Sequence, residues 1–157
     1  MPAESLAAHA IKCELAAESL ELSGSLRIKV NGWSMLPTIW PGDTVIVGRA
    51  PHSDIAPGDV VLFRRDGSFF VHRVIEKSVC GSEILTRGDS MPQRDEPFAS
   101  SELLGKVQFI VRGGRRIEPS RRLKVAQRAL AGLLQRSESA SRLAVTAHQL
   151  YRNSPAS

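Results

Sequence analysis

Short β-branched runs broken at regular intervals by Gly, Pro and Asp constrain this chain more than any other feature: Leu26 to Val30, Thr44 to Val47, Val60 to Phe63, Phe69 to Ile75, Glu83 to Thr86 and Gly105 to Val111. Six candidate strands with such punctuation argue for a β-rich domain. Three Gly-Asp pairs, Gly42-Asp43, Gly58-Asp59 and Gly88-Asp89, fall at the edges of these runs. Pro41 and Pro57 precede two of the pairs, so their first role is geometric, as tight turns.

The flanks read differently. Residues Glu4 to Leu22 place Leu6, Ala10, Ile11, Leu15, Ala16 and Leu20 at helical spacing with acidic residues between them, and Ser23-Gly24-Ser25 ends the helix. From Pro119 to Tyr151 the helical pattern returns, with Leu123, Ala126, Leu130, Leu133 and Leu134 on one side, then Ala140, Leu143, Ala144, Ala147 and Leu150 after a polar break at Ser137 to Ser139. The expected organisation is an N-terminal helix over 1–24, a β-rich domain over 25–113 and a basic helical tail over 114–157. A length of 157 residues, 42% of them apolar, suffices for one core and not for two.

Charge is segregated. The stretch Arg112 to Arg152 carries ten basic and two acidic residues, a net +8, while the rest of the chain is net negative. The tail reads first as a solvated helix face packed on the domain or a partner. The alternative is a surface helix leaning on an anionic membrane or an acidic protein. Nucleic acid is disfavoured by the modest overall charge of +5 and by Tyr151 standing alone in the tail as a stacking residue. No apolar run approaches the roughly 20 residues that span a bilayer. Met1 to Leu22 has neither a basic leader nor an apolar core, so the expected residence is cytoplasmic, with a peripheral membrane contact open to the tail. Cys13 and Cys80 are too few for a disulfide framework and are expected to be reduced, buried and structural. His9, His52, His72 and His148 form no metal-ligand spacing, so neither metal nor cofactor is expected.

Chemistry concentrates around Ser34. A serine between a strand and a Pro-containing turn, two residues after Gly32, suits exposure at a backbone corner better than core packing. Alone it is inert. It needs a base within hydrogen-bond reach and backbone N–H groups to receive the oxyanion that its attack creates. Trp33 and Trp40 flank it, either packing under the turn or walling a peptide site.

The blocks Gly32-x-Ser34-Met35-x-Pro37-Thr38-Ile39, Gly42-Asp43, Gly58-Asp59-Val60-Val61-Leu62-Phe63, His72-Arg73-Val74-Ile75 and Leu85-Thr86-Arg87-Gly88-Asp89, with Asp95 following, appear in one order over Val30 to Val111. In this the chain resembles the signal peptidase I and self-cleaving repressor superfamily of serine peptidases. The resemblance implies a mainly β, coiled and partly open sheet or barrel as the peptidase core, between the N-terminal helix and the helical tail. Many members use Lys as the base, whereas the archaeal and endoplasmic-reticulum type uses His in a block like that of His72. The resemblance therefore implies Ser34 as nucleophile, His72 as general base and Asp95 as the carboxylate that orients it. Asp89 is the fallback for that last role or a brace, and Gly32 and Met35 are supporting residues. Membrane signal peptidases often carry a small hydroxyl residue at the position of Gly32; its replacement by glycine leaves the Ser34 N–H as the assured oxyanion donor.

The chemistry reads the same way from the residues. An imidazole, with a reference pKa of about 6.5, can take a serine proton at neutrality, and a carboxylate on its other ring N–H fixes the tautomer. Strand alternation puts His72 on one face with Val74, and Val71, Arg73 and Ile75 on the other. The leading expectation is a serine endopeptidase that takes an extended segment with small residues near the cut. Two alternatives stay open. One is self-cleavage in the repressor manner, with Ala129-Leu130-Ala131-Gly132 as a cut site, although only about 25 residues precede the β-rich region and no helix-turn-helix fits there. The other is an inactive peptide-binding or assembly module docked by its basic tail.

Overall fold

Residues 60–63 are apolar without alternation because the strand they belong to is buried on both faces: Val60 and Leu62 enter one core cluster, Val61 and Phe63 the other. In the computed structural model, which describes residues 2–136 and Thr146, this strand belongs to an antiparallel open sheet of eight strands. The elements are α1 (Pro2–Ser23), β1 (Ser25–Lys29), β2 (Thr44–Gly48), β3 (Val60–Arg65), β4 (Ser68–Lys77), β5 (Glu83–Arg87), β6 (Phe98–Ala99), β7 (Leu103–Arg112), β8 (Arg115–Ile117) and α2 (Val125–Gln135). The strand order is β1-β2-β7-β3-β4-β5-β6, with β8 paired to the far end of β7. All six expected strands are present, and the sheet is mainly β as expected. The short β6 and β8 add two and three residues that are too brief to leave an alternation signal.

The ten-residue β7 carries the architecture: β2 pairs along one edge, and β3 and β8 share the other. The first cluster lies under β1, β2 and α1 and includes Leu20, Met35, Ile39, Val45 and Ile110. The second gathers Ile55, Val61, Phe63, Val74, Ile84 and Phe98, with the Phe63 and Phe98 rings stacked at 4.1 Å.

Helix α1 forms as expected but presents a rotated face. Cys13 and Leu20 are buried against the sheet, while Ile11 and Leu15, expected on the apolar stripe, are more than half exposed. A seven-residue separation puts Cys13 and Leu20 on one line of the helix, and that line was chosen by the sheet. Cys80 departs from expectation altogether. It is exposed in the connection between β4 and β5, where a surface loop of five residues has no interior to enter. Hydrogen bonding to the Ser82 hydroxyl, with further contacts from the Ser82 backbone and Ser78, lowers its thiol to about 7.

Helix α2 begins at Val125, not at Pro119, and buries Ala131 and Leu134, while Leu130 and Leu133 face solvent. The preceding residues are used as extended chain: the Ser120 carbonyl accepts from Arg73 at 2.7 Å and Arg121 donates to Asp59 at 2.8 Å. The second helical stretch, from Ala140 to Leu150, lies outside the described residues. Among the described residues no helix is long and apolar enough to cross a membrane.

Candidate active site

Ser34 opens a turn that follows β1 and is stitched by its own backbone: Leu36 N–H donates to Trp33 O, and Thr38 and Ile39 N–H both donate to Met35 O. The Leu36-Pro37 peptide is cis. Met35 and Ile39 anchor the turn in the first core cluster at 2% and 0% exposure, so the hydroxyl of Ser34 is left at the rim. The loop after β5 grips it from the other side. Ser90 N–H donates to Ser34 O at 3.0 Å and Ser90 Oγ donates to Trp33 O at 2.9 Å. Gly88 permits that grip, because a Cβ there would stand 2.5 Å from Ser34 O.

His72 lies in β4, paired to Val61 of β3. Its ring meets that of Phe63 edge-on at 6.1 Å, on the face that also carries Val74. The imidazole is nearly enclosed and makes two hydrogen bonds: Nδ1 is 2.6 Å from Asp95 Oδ2, and Nε2 is 3.0 Å from Ser34 Oγ. Asp95 is held by its strand neighbour, its N–H donating to Thr86 O at 2.9 Å and its Oδ2 accepting from the buried Thr86 hydroxyl at 2.6 Å. Burial pushes the Asp95 carboxyl up, but the hydrogen bonds from His72 and Thr86 outweigh it and hold the carboxyl below its ordinary value. A carboxylate only accepts, so Nδ1 carries the ring proton and the Nε2 lone pair faces the serine hydroxyl. That arrangement can take a proton from Ser34 and steady the cation that results.

Asp89 faces elsewhere. Its two oxygens accept from Arg73 Nε at 2.7 Å and Nη2 at 2.8 Å, and the Thr38 hydroxyl donates to it as well. It thus joins the Ser34 turn to β4, and among the described residues the His72 ring pairs with Asp95 alone. The other Gly-Asp pairs follow the same rule. Asp43, fully buried, accepts from Arg112 at 2.7 Å, and Arg112 also donates to Thr38 O. Asp59 accepts from Arg121 and Lys106. The glycines do turn the chain, Gly42 and Gly58 with φ near +90°, yet each aspartate is also a buried anchor for a distant cation. Thr86, Ser90 and the three arginine partners escaped the sequence reading. Thr86 stands in a quoted block, but nothing local to it says where its hydroxyl goes.

Beside Ser34 and His72 runs a groove of about 430 Å³, with Ile28 and Lys29 of β1 on one side, Phe69 and Val71 of β4 on the other, and Met35 below. Gly32 lines it, and a Cβ there would meet nothing within 4 Å. Trp33 and Trp40 are not among its lining residues; Trp40 instead donates from its indole to Pro37 O at 3.0 Å, bracing the turn. Both walls are strand edges. β1 ends the sheet, and residues 68–72 of β4 pair with β3 only, since β5 begins to pair at Arg73.

The Peptidase S24-like family model matches residues 4–107, a span that holds most of α1, the Ser34 turn, His72 and Asp95. No curated protein matches the chain.

Proposed function

The chain belongs to the Peptidase S24-like family, and from that premise we propose that it is a serine endopeptidase of the signal-peptidase type, with Ser34 as nucleophile, His72 as general base and Asp95 as its orienting carboxylate. One observation carries this reading: the imidazole bridges Ser34 Oγ at 3.0 Å and Asp95 Oδ2 at 2.6 Å across three separate stretches of chain. Distances of this kind suit proton transfer.

In the proposed cycle Ser34 Oγ attacks the scissile carbonyl carbon as its proton passes to His72 Nε2. The negative charge that gathers on the carbonyl oxygen is received by the Ser34 N–H, which has no protein acceptor among the described residues. His72 then gives its proton to the departing amine, leaving an acyl-serine. Water, deprotonated by the same ring, releases the acid and regenerates Ser34. The substrate lies extended between the open edges of β1 and β4, hydrogen-bonding through its backbone as an added strand. Small side chains near the cut are what the family resemblance implies.

The test is mass spectrometry of wild type beside Ser34→Ala, each incubated alone and with a peptide bearing Ala-x-Ala. Cleavage of the peptide by wild type only, at a rate that rises from acid to neutral pH as an imidazole base requires, supports the proposal. A wild-type chain that shortens itself while Ser34→Ala stays intact supports self-cleavage instead. That outcome would require α2 to unwind, because Ala131 of the Ala-Leu-Ala-Gly segment is buried within it. Identical behaviour of both proteins in every arm would leave a peptide-binding module.

A further inference from the structure

Behind the loop that grips Ser34, the segment leading into α2 closes over β4 and β5 and leaves a cavity of about 310 Å³. Arg73, Arg87, Arg121, Arg122 and Arg128 line it, against one lining carboxylate, Asp89. Asp89 is fully engaged by Arg73. Arg121 is turned to Asp59, which Lys106 already approaches at 2.9 Å. Among the described residues no carboxylate pairs with Arg87, Arg122 or Arg128. Three arginines, Arg87, Arg122 and Arg128, thus line one concavity with no paired carboxylate among the described residues, an arrangement whose mutual repulsion an anion would relieve.

We propose that this cavity binds a phosphate-bearing anion, at the level of a diphosphate. The match is one of charge and geometry. A diphosphate carries about three negative charges near neutrality, and its oxygens accept the paired N–H groups of several guanidinium forks at once, which a lone carboxylate does not. The volume falls at the lower end of ordinary ligand sites, about 300–1,000 Å³. The wall is also bare at Gly132, in the last turn of α2, where a Cβ would meet nothing within 4 Å.

The bound anion would join β5 to α2. Arg87 ends β5 immediately before Gly88, while Arg122 and Arg128 belong to the closing segment, which already touches the loop through Gln135 Nε2 donating to Asp89 O at 3.0 Å. Binding therefore stabilises the closed arrangement of α2 on the loop that holds Ser34.

The experiment is calorimetric titration and thermal melting of the full chain with inorganic pyrophosphate, with potassium chloride at equal ionic strength as control. Saturable binding and a Tm rise of roughly 3–6 °C are expected with pyrophosphate and not with chloride. Arg122→Ala combined with Arg128→Ala, two exposed positions, should weaken binding by about tenfold or more while the anion-free Tm holds. Gly132→Leu fills the cavity without removing a charge and should do the same. A second arm sediments the protein with phosphatidylglycerol vesicles against phosphatidylcholine. Binding to the former that Gly132→Leu abolishes, with no response to pyrophosphate, would overturn the diphosphate and leave a singly charged lipid phosphodiester as the ligand. The proposal is overturned by wild type that ignores both probes, by chloride reproducing the shift, or by Gly132→Leu responding as wild type does.

Discussion

At the scale of single residues, the carboxylate oxygen that faces His72 is shared: Asp95 Oδ2 accepts both the ring N–H and the Thr86 hydroxyl. Thr86 is therefore a positioning residue. Thr86→Val should lower kcat by about tenfold with KM little changed, and should raise the Asp95 carboxyl titration followed by NMR; Thr86→Ser should restore both. Removing the charge itself is more severe. Asp95→Asn presents an amide that does not hold the same tautomer, and kcat is expected to fall by about 10³-fold or more in steady-state kinetics while the circular dichroism spectrum is kept. At Gly88 the constraint is steric. A methyl group would press on Ser34 O, a backbone atom that already accepts Ser90 N–H. Gly88→Ala should cost about 1–3 kcal/mol in urea unfolding and displace the nucleophile, so that activity falls more than stability does.

At the scale of elements, the Ser34 turn is fastened from two strands. Arg112 at the end of β7 holds Asp43 and the Thr38 carbonyl, and Arg73 of β4 holds Asp89, which accepts the Thr38 hydroxyl. Arg73 and Asp89 are 7% and 5% exposed, so the pair is stabilising only while both members are present. Arg73→Met should destabilise by about 3–5 kcal/mol because it leaves a buried carboxylate without its cation, and adding Asp89→Leu should recover part of that loss, the Gly58 and Ser120 carbonyls still lacking their donor. Denaturant unfolding of the two variants checks the sign of the recovery. The strands were legible because burial on one face leaves alternation and burial on two leaves a continuous run, as in β3. The start of α2 was not, since Ser120 and Arg121 are drawn out of the helical pattern by partners on β4 and at the β3 turn.

At the scale of the whole molecule, buried carboxylates tie the loops to the sheet, and stability inherits their titration. Burial pushes Asp59 up, but Lys106, the Ala56 N–H and Arg121 together hold its carboxyl below the ordinary value, as His72 and Thr86 do for Asp95. With folded values below the unfolded value of about 3.9, the unfolded chain binds more protons at acid pH. The stabilisation is therefore complete above that value and drains away as pH falls through the folded ones. Tm should change little between pH 7 and about 5 on account of these two groups, then drop below about 4. Asp59→Asn should lower Tm at pH 7 and flatten the acid limb; a limb as steep as wild type would exclude Asp59 as its source.

Strand content, the turns at Gly42 and Gly58, and the presence of a hydroxyl, an imidazole and a carboxylate in family order were all written locally, because alternation, φ preference and side-chain chemistry are properties of a residue and its near neighbours. Tertiary structure alone decided that Asp89 is bound by Arg73, that Cys80 faces solvent, and that α1 turns Ile11 away from the sheet. Each of those outcomes depends on which groups become neighbours once the sheet forms. His72 is 38 residues from Ser34 and 23 from Asp95 along the chain, and over such separations only strand register and loop anchoring fix a distance.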